Sequence, residues 1–140
     1  EIGGTQLVLP ARALPRSVAG YVGADVVLGI RPEDVEDSSV CGPVNGRPVL
    51  EAPVTLAEPM GSELIAHCEL DAPPLVTRDT LDLARDLGEE PANGSASAER
   101  AVFTARLDSG CRATRGNTIG LVIEPASIYF FDPDTESALH

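Results

Sequence analysis

Carboxylates are the commonest groups in this sequence that could do chemistry. There are 22 Asp and Glu against ten basic residues, and all ten are arginine. Two facing carboxylates could share acid and base work. However, Glu33, Asp34, Glu36 and Asp37 follow one another after Pro32, and a charge run of that kind reads as a solvated loop. Asp132, Asp134 and Glu136 alternate as in part of a calcium loop, without the glycine and terminal glutamate such a loop needs. Asp132-Pro133-Asp134 reads better as a turn closing a last strand. His67 is the only internal histidine, and one imidazole does not make a metal site. Ser17, Ser62 and Ser109 lack the Gly-x-Ser-x-Gly elbow of a nucleophilic serine. Cys41, Cys68 and Cys111 form no C-x-x-C pair. Their odd number, with no secretory leader in view, fits reduced thiols in a cytoplasm. Cys68 alternates with Leu64, Ala66 and Leu70, the pattern of a small core residue. The expectation is a chain with no catalytic residue, no metal and no cofactor of its own.

Composition sets the frame. The chain has 140 residues, 43% of them hydrophobic, and a net charge of −12. That suits one domain over 1–140 with a real core. No apolar run approaches the roughly 20 residues a membrane helix needs. Nucleic-acid binders draw most of their affinity from neutralising phosphates, so the sign of the charge is wrong for that role. Only five aromatics are present, too few for a base-stacking groove.

The elements that would position these groups are short strands with period-two alternation. Gln6 to Leu9 reads as a first strand. Ala24 to Ile30 places Val26, Leu28 and Ile30 on one face. Val49 to Ala57 places Leu50, Ala52, Val54 and Leu56 together. Ser62 to Leu70, Arg100 to Leu107, Thr118 to Glu124 and Ser127 to Phe131 complete about seven. Turns fall at Cys41 to Gly46, Pro59 to Gly61 and Arg115 to Asn117. Thr77 to Leu87 has helical spacing, and Glu89 to Ala98 reads as a flexible loop. The fold class expected is mainly β, a barrel of about seven short strands with one short helix in an insertion at about 77–99.

Three blocks of charge sit at the ends of these strands. Gly29-Ile30-Arg31-Pro32-Glu33 ends one strand at a rigid corner, because proline fixes its φ and donates no ladder hydrogen bond. Glu58-Pro59-Met60-Gly61-Ser62-Glu63 spans a tight reversal, for which Gly61 supplies a positive φ. Ile128-Tyr129-Phe130-Phe131-Asp132 ends the last strand, with Phe130 expected in the core and Phe131 at a subunit or barrel seam. Arg31 and Glu33 are expected to pair with each other or with Asp132, in a bridge of little net worth.

These three blocks, in that order, resemble the C-terminal regulatory domain of the ATP-binding subunits of maltose-type and glycerol-phosphate-type ABC importers. Met60 stands at a usual Leu, Phe130 at a usual Leu and Tyr129 at a usual His. The likeness covers roughly residues 5–70 and 100–139. It implies an oligomer-binding-like β-barrel, a transport-associated module that is not itself an enzyme. It also implies that an ATPase domain, with the ATP and Mg site, precedes Glu1. This chain has no phosphate-cradling loop ending in Lys-Ser or Lys-Thr. The implied role is regulatory and dimer-stabilising. The implied partners are a second copy of the subunit, its own ATPase domain, the membrane permease subunits indirectly and a possible regulatory protein, at the cytoplasmic face of the cell membrane. Arg31, Glu33, Glu58, Ser62, Glu63, Phe131 and Asp132 are the implied interface or motif residues. A competing reading is a module binding a small oxyanion such as molybdate, which would need a basic pocket or aimed backbone amides.

Overall fold

The computed structural model describes residues 1, 2, 4–75 and 100–140. Among these the chain forms seven strands and four 3-10 turns. The strands are β1 (Val27–Gly29), β2 (Val35–Asp37), β3 (Val49–Pro59), β4 (Glu63–Leu70), β5 (Ala101–Asp108), β6 (Thr118–Ile123) and β7 (Tyr129–Phe131). Five form an antiparallel sheet in the order β2-β6-β3-β4-β5, and β1 pairs with β7 as a separate ribbon. The mainly β, barrel-like class read from the sequence holds. The helix expected over Thr77 to Leu87 lies outside the described residues.

The five-stranded sheet curls until β2 approaches β5, which leaves few open edges to invite aggregation. Its core is the set that alternation selects: Leu50, Ala52 and Val54 on β3, Leu64, Ala66 and Cys68 on β4, Ala105 and Leu107 on β5, and Ile119, Leu121 and Ile123 on β6. Phe130 joins them from β7 at 5% exposure. Cys68 is fully buried, and desolvation pushes its thiol up to about 11, as a core residue requires.

Three expectations change. Gln6 to Leu9 forms no ladder; an alternating stretch becomes a strand only with a partner to receive its amides. Leu56 does not join the core. The β3–β4 register shifts between Val54 and Leu56, so Val54 faces Cys68 but Leu56 faces His67, and Leu56 is 45% exposed. An extra residue on one strand reverses the facing of everything after it. Val122 is also fully buried, so β6 is covered on both faces. Finally, the acidic run after Pro32 is not a loop. Pro32–Asp34 is a 3-10 turn, and Val35–Asp37 is strand β2, antiparallel to β6.

Asp37 belongs to that correction, for its residue is 3% exposed. Its carboxylate accepts the Ser39 amide at 2.8 Å and the Arg112 amide at 3.4 Å. Arg112 lies beyond β5, so one side chain ties the ends of the two strands that close the sheet. Burial of a carboxylate is tolerable when backbone donors replace water.

Candidate functional site

The β1–β7 ribbon brings the first and third blocks together. Val27 faces Phe131, Leu28 faces Phe130 and Gly29 faces Tyr129. The Phe131 ring lies across Gly29, where an added Cβ would stand 2.9 Å from its Cε2. Gly29 is therefore glycine because a ring occupies its side-chain space. Phe131 packs over Gly29 within this ribbon.

Arg31 is extended at the entry to the 3-10 turn, with φ −75° and ψ 147°. Its guanidinium carbon lies 5.2 Å from the centre of the Tyr129 ring, a cation–π contact. The expected pairing of Arg31 with Glu33 or Asp132 is not formed among the described residues. The 3-10 turn carries Glu33 away from the strand direction, and Asp132 is already committed. Asp132 accepts the amides of Asp134 at 2.9 Å and Thr135 at 2.6 Å, and the hydroxyl of Tyr21. The Tyr21 bond and those turn donors hold its carboxyl down at about 2. The same bond raises the Tyr21 phenol. Asp132 thus closes the last strand, as its Asp-Pro-Asp context suggests. It also clips the C-terminal tail to the 3-10 turn Arg16–Tyr21. Ser17 donates to the carbonyl of His140 at 2.8 Å beside it.

The second block is the β3–β4 hairpin. The Met60 amide donates to the Glu63 carbonyl at 2.8 Å, which leaves Gly61-Ser62 as a two-residue loop. Gly61 has φ +76°, and a positive φ at the first loop position suits the right-handed twist of the strands. Ser62 serves this loop through its carbonyl, which accepts the Ser109 amide at 3.3 Å. Glu63 grips Arg106 through two bonds of 2.8 and 2.6 Å, the planar fork geometry of arginine with a carboxylate. That grip lowers the Glu63 carboxyl and raises the Arg106 guanidinium.

Arg106 also feels the charge of Glu33, because the Pro32–Asp34 turn packs on β5. It stands on the strand against which the first block's turn packs and holds the second block through Glu63. Sequence reading passed over it, although it stands at an outward position between the inward Ala105 and Leu107. Tyr21 was missed for a plainer reason, since it lies 111 residues from its partner.

Glu58 faces outward and bonds His67 Nε2 at 3.0 Å, while Thr104 Oγ1 lies 3.4 Å from Nδ1. His67 is therefore the hydrogen-bonded, outward strand histidine its position suggests. Among the described residues no three His, Cys, Asp or Glu side chains converge as metal ligands.

Two shallow grooves accompany these contacts. One of about 290 Å³ lies over Val27, Gly29, Phe131 and Pro133. The other, about 530 Å³, is framed by Val8, Pro10, Arg12, Arg47, Glu124 and Pro125. Arg47 is bound there by Glu36. Neither holds an arrangement of nucleophile, base and oxyanion donors. The described site is a set of charged corners at strand ends, held by the Asp132 turn and the Glu63–Arg106 fork.

Residues 28–98, half of the chain, match the TOBE domain family. Similar proteins include the oligosaccharides import ATP-binding protein MsmX of Bacillus subtilis, 29% identical over 137 residues. They include the sulfoquinovosyl glycerol transport ATP-binding protein SmoE of Agrobacterium fabrum, 28% identical over 134 residues. The trehalose/maltose import ATP-binding protein MalK of Thermococcus litoralis is 26% identical over 121 residues. These alignments take in 97%, 94% and 86% of this chain but only 30%, 28% and 25% of the relatives. The chain therefore spans less than a third of the length of the curated relatives it matches. The match opens within β1 and takes in the acidic turn and the Gly-Ser-Glu hairpin, and the chain belongs to the TOBE domain family.

Proposed function

We propose that this chain is the C-terminal regulatory and dimer-stabilising module of the ATP-binding subunit of a carbohydrate or glycerol-phosphate ABC importer. The observation that carries the reading is the lopsided alignment. Nearly all of this chain, 97%, matches less than a third of an oligosaccharide-import ATP-binding protein. In this reading an ATPase domain precedes residue 1 and holds the ATP and Mg site. The module is a non-enzymatic part of a subunit that sits at the cytoplasmic side of the membrane against permease subunits.

The motif corners suit such work. Pro32, the β1–β7 ribbon and the Asp132 turn fix Arg31, Tyr129 and Glu33 on one rigid frame. The Glu63–Arg106 fork fixes the hairpin beside it. A rigid surface transmits a partner's preference without absorbing it in side-chain motion. A second copy of the subunit, or a regulatory protein, that favours one arrangement shifts the ATPase equilibrium by its differential affinity.

The test begins with the coding sequence upstream of Glu1, where a Gly-x-x-x-x-Gly-Lys-(Ser/Thr) loop is expected. The full subunit is then compared with a version lacking residues 1–140, by sedimentation velocity with and without ATP. Loss of the dimer in the absence of ATP is expected. Arg31→Glu in the full subunit should weaken association or uncouple ATP hydrolysis from transport. An upstream sequence without the loop, or a truncated subunit that dimerises and couples normally, overturns the proposal.

A further inference from the structure

The two loops that Asp37 joins each carry a cysteine. Cys41 follows β2, and its amide donates to the Asp37 carbonyl at 3.0 Å. Cys111 follows β5, and the next amide, that of Arg112, reaches the Asp37 carboxylate. Asp37 therefore bonds the loop of each cysteine, that of Cys41 through its carbonyl and that of Cys111 through its carboxylate. Both are free thiols and both are half-buried, whereas Cys68 is enclosed. The three thiols of this chain are thus sorted by the fold. One is desolvated and inert. The other two sit at the seam where the first and last strands of the curled sheet meet.

From this arrangement we propose that Cys41 and Cys111 form a reversible disulfide clasp across the β2–β5 seam under oxidising conditions. Cys111 packs against the core cluster and Cys41 does not. Cys41 is therefore the thiol that meets the oxidant first, and Cys111 resolves it. With a small-molecule disulfide such as oxidised glutathione, the Cys41 thiolate attacks one sulfur and releases one glutathione thiolate. The Cys111 thiolate then attacks Cys41 Sγ and releases the second. Two thiol protons are lost to solvent, two electrons pass to the oxidant, and one protein S–S bond replaces the S–S bond of glutathione. Transient disulfides of this kind are the sort found in reducing compartments.

The bond would close a long loop containing β3, β4 and β5. Loops of that size gain the most from cross-linking, and the melting temperature should rise by roughly 10 °C. The clasp would hold β2 against β5 beside the bonds that Asp37 makes between their ends in the reduced protein.

The test uses the chain of residues 1–140, reduced and then equilibrated with glutathione buffers of increasing potential. A glutamyl-specific protease separates the three cysteines, cutting around them at Glu36 and Glu51, Glu63 and Glu69, and Glu99 and Glu124. Expected are an intact mass lower by two hydrogens, one linked peptide pair containing Cys41 and Cys111, and a raised melting temperature that dithiothreitol reverses. Cys41→Ser should abolish the link and leave Cys111 at most as a glutathione adduct. Separate glutathione adducts on Cys41 and Cys111 in the unaltered chain, a link involving Cys68, or a link only between chains would each overturn the clasp.

Discussion

Gly120 offers the sharpest test of how β6 is packed. It faces Glu51 across β3, and its carbonyl accepts the Ser38 amide at 2.8 Å. A Cβ added there would stand 2.6 Å from Ser38 Oγ, 3.1 Å from Val49 Cγ1 and 3.2 Å from Ser38 Cβ. Rotating the hydroxyl away relieves only the first contact. The other two involve a Cβ fixed by the Ser38 backbone bond and a valine with few rotamers. Overpacking of this kind costs roughly 1–3 kcal/mol. Against it, alanine restricts the unfolded chain more than glycine does and returns about 0.4–1 kcal/mol. The steric cost wins, and Gly120→Ala should destabilise by about 1–2 kcal/mol, lowering the melting temperature by about 3–8 °C.

Urea unfolding followed by far-ultraviolet circular dichroism gives the free energy, and a thermal scan gives the temperature. The second arm is Ser38→Gly, alone and combined with Gly120→Ala. Removing the Ser38 side chain deletes two of the three contacts. The double variant should therefore be more stable than the sum of the single effects. If Gly120→Ala were neutral or stabilising, or if the two changes were simply additive, the packing of β2 on β6 would not be as described.

Two further perturbations bear on other parts of the frame. The Asp132 carboxyl is held at about 2, below its ordinary value of 3.8, so its contribution to stability is complete above pH 4 and fades as the pH falls toward 2. The Tyr21 phenol is raised, so the same bond is present below pH 10 and is lost as the phenol ionises. Tyr21→Phe should accordingly flatten both limbs of the melting-temperature profile, acid and alkaline, while leaving the middle nearly level; an unchanged acid limb would show that Tyr21 does not hold Asp132. Leu121 and Leu56 form a matched pair for the β-bulge. Leu121 is 1% exposed and Leu56 is 45% exposed, so Leu121→Ala should cost about 3–5 kcal/mol and Leu56→Ala under about 1 kcal/mol by urea unfolding. Equal costs would place Leu56 in the core, as simple alternation has it.

Local rules set much of what this chain does. Alternation of apolar and polar residues selected the inward faces of β4, β5 and β6, because a strand's side chains project to opposite sides whatever their partner. Proline and glycine set the corners at Pro32 and Gly61, because they act on their own dihedrals. The abundance of acid and the absence of lysine belong to composition alone, and they already argued against nucleic acid. Long-range contacts decided the rest. The 3-10 turn and strand within the acidic run exist because β6 offers Val35 and Asp37 a ladder, which no local property of those residues announces. The exposure of Leu56 follows from a register shift against β4. Arg31 chose the ring of Tyr129 over the nearer carboxylates once Tyr21, far off in sequence, had taken Asp132. Which charges meet depends on which strands pair, and pairing is fixed by the packing of the whole sheet rather than by any segment of it.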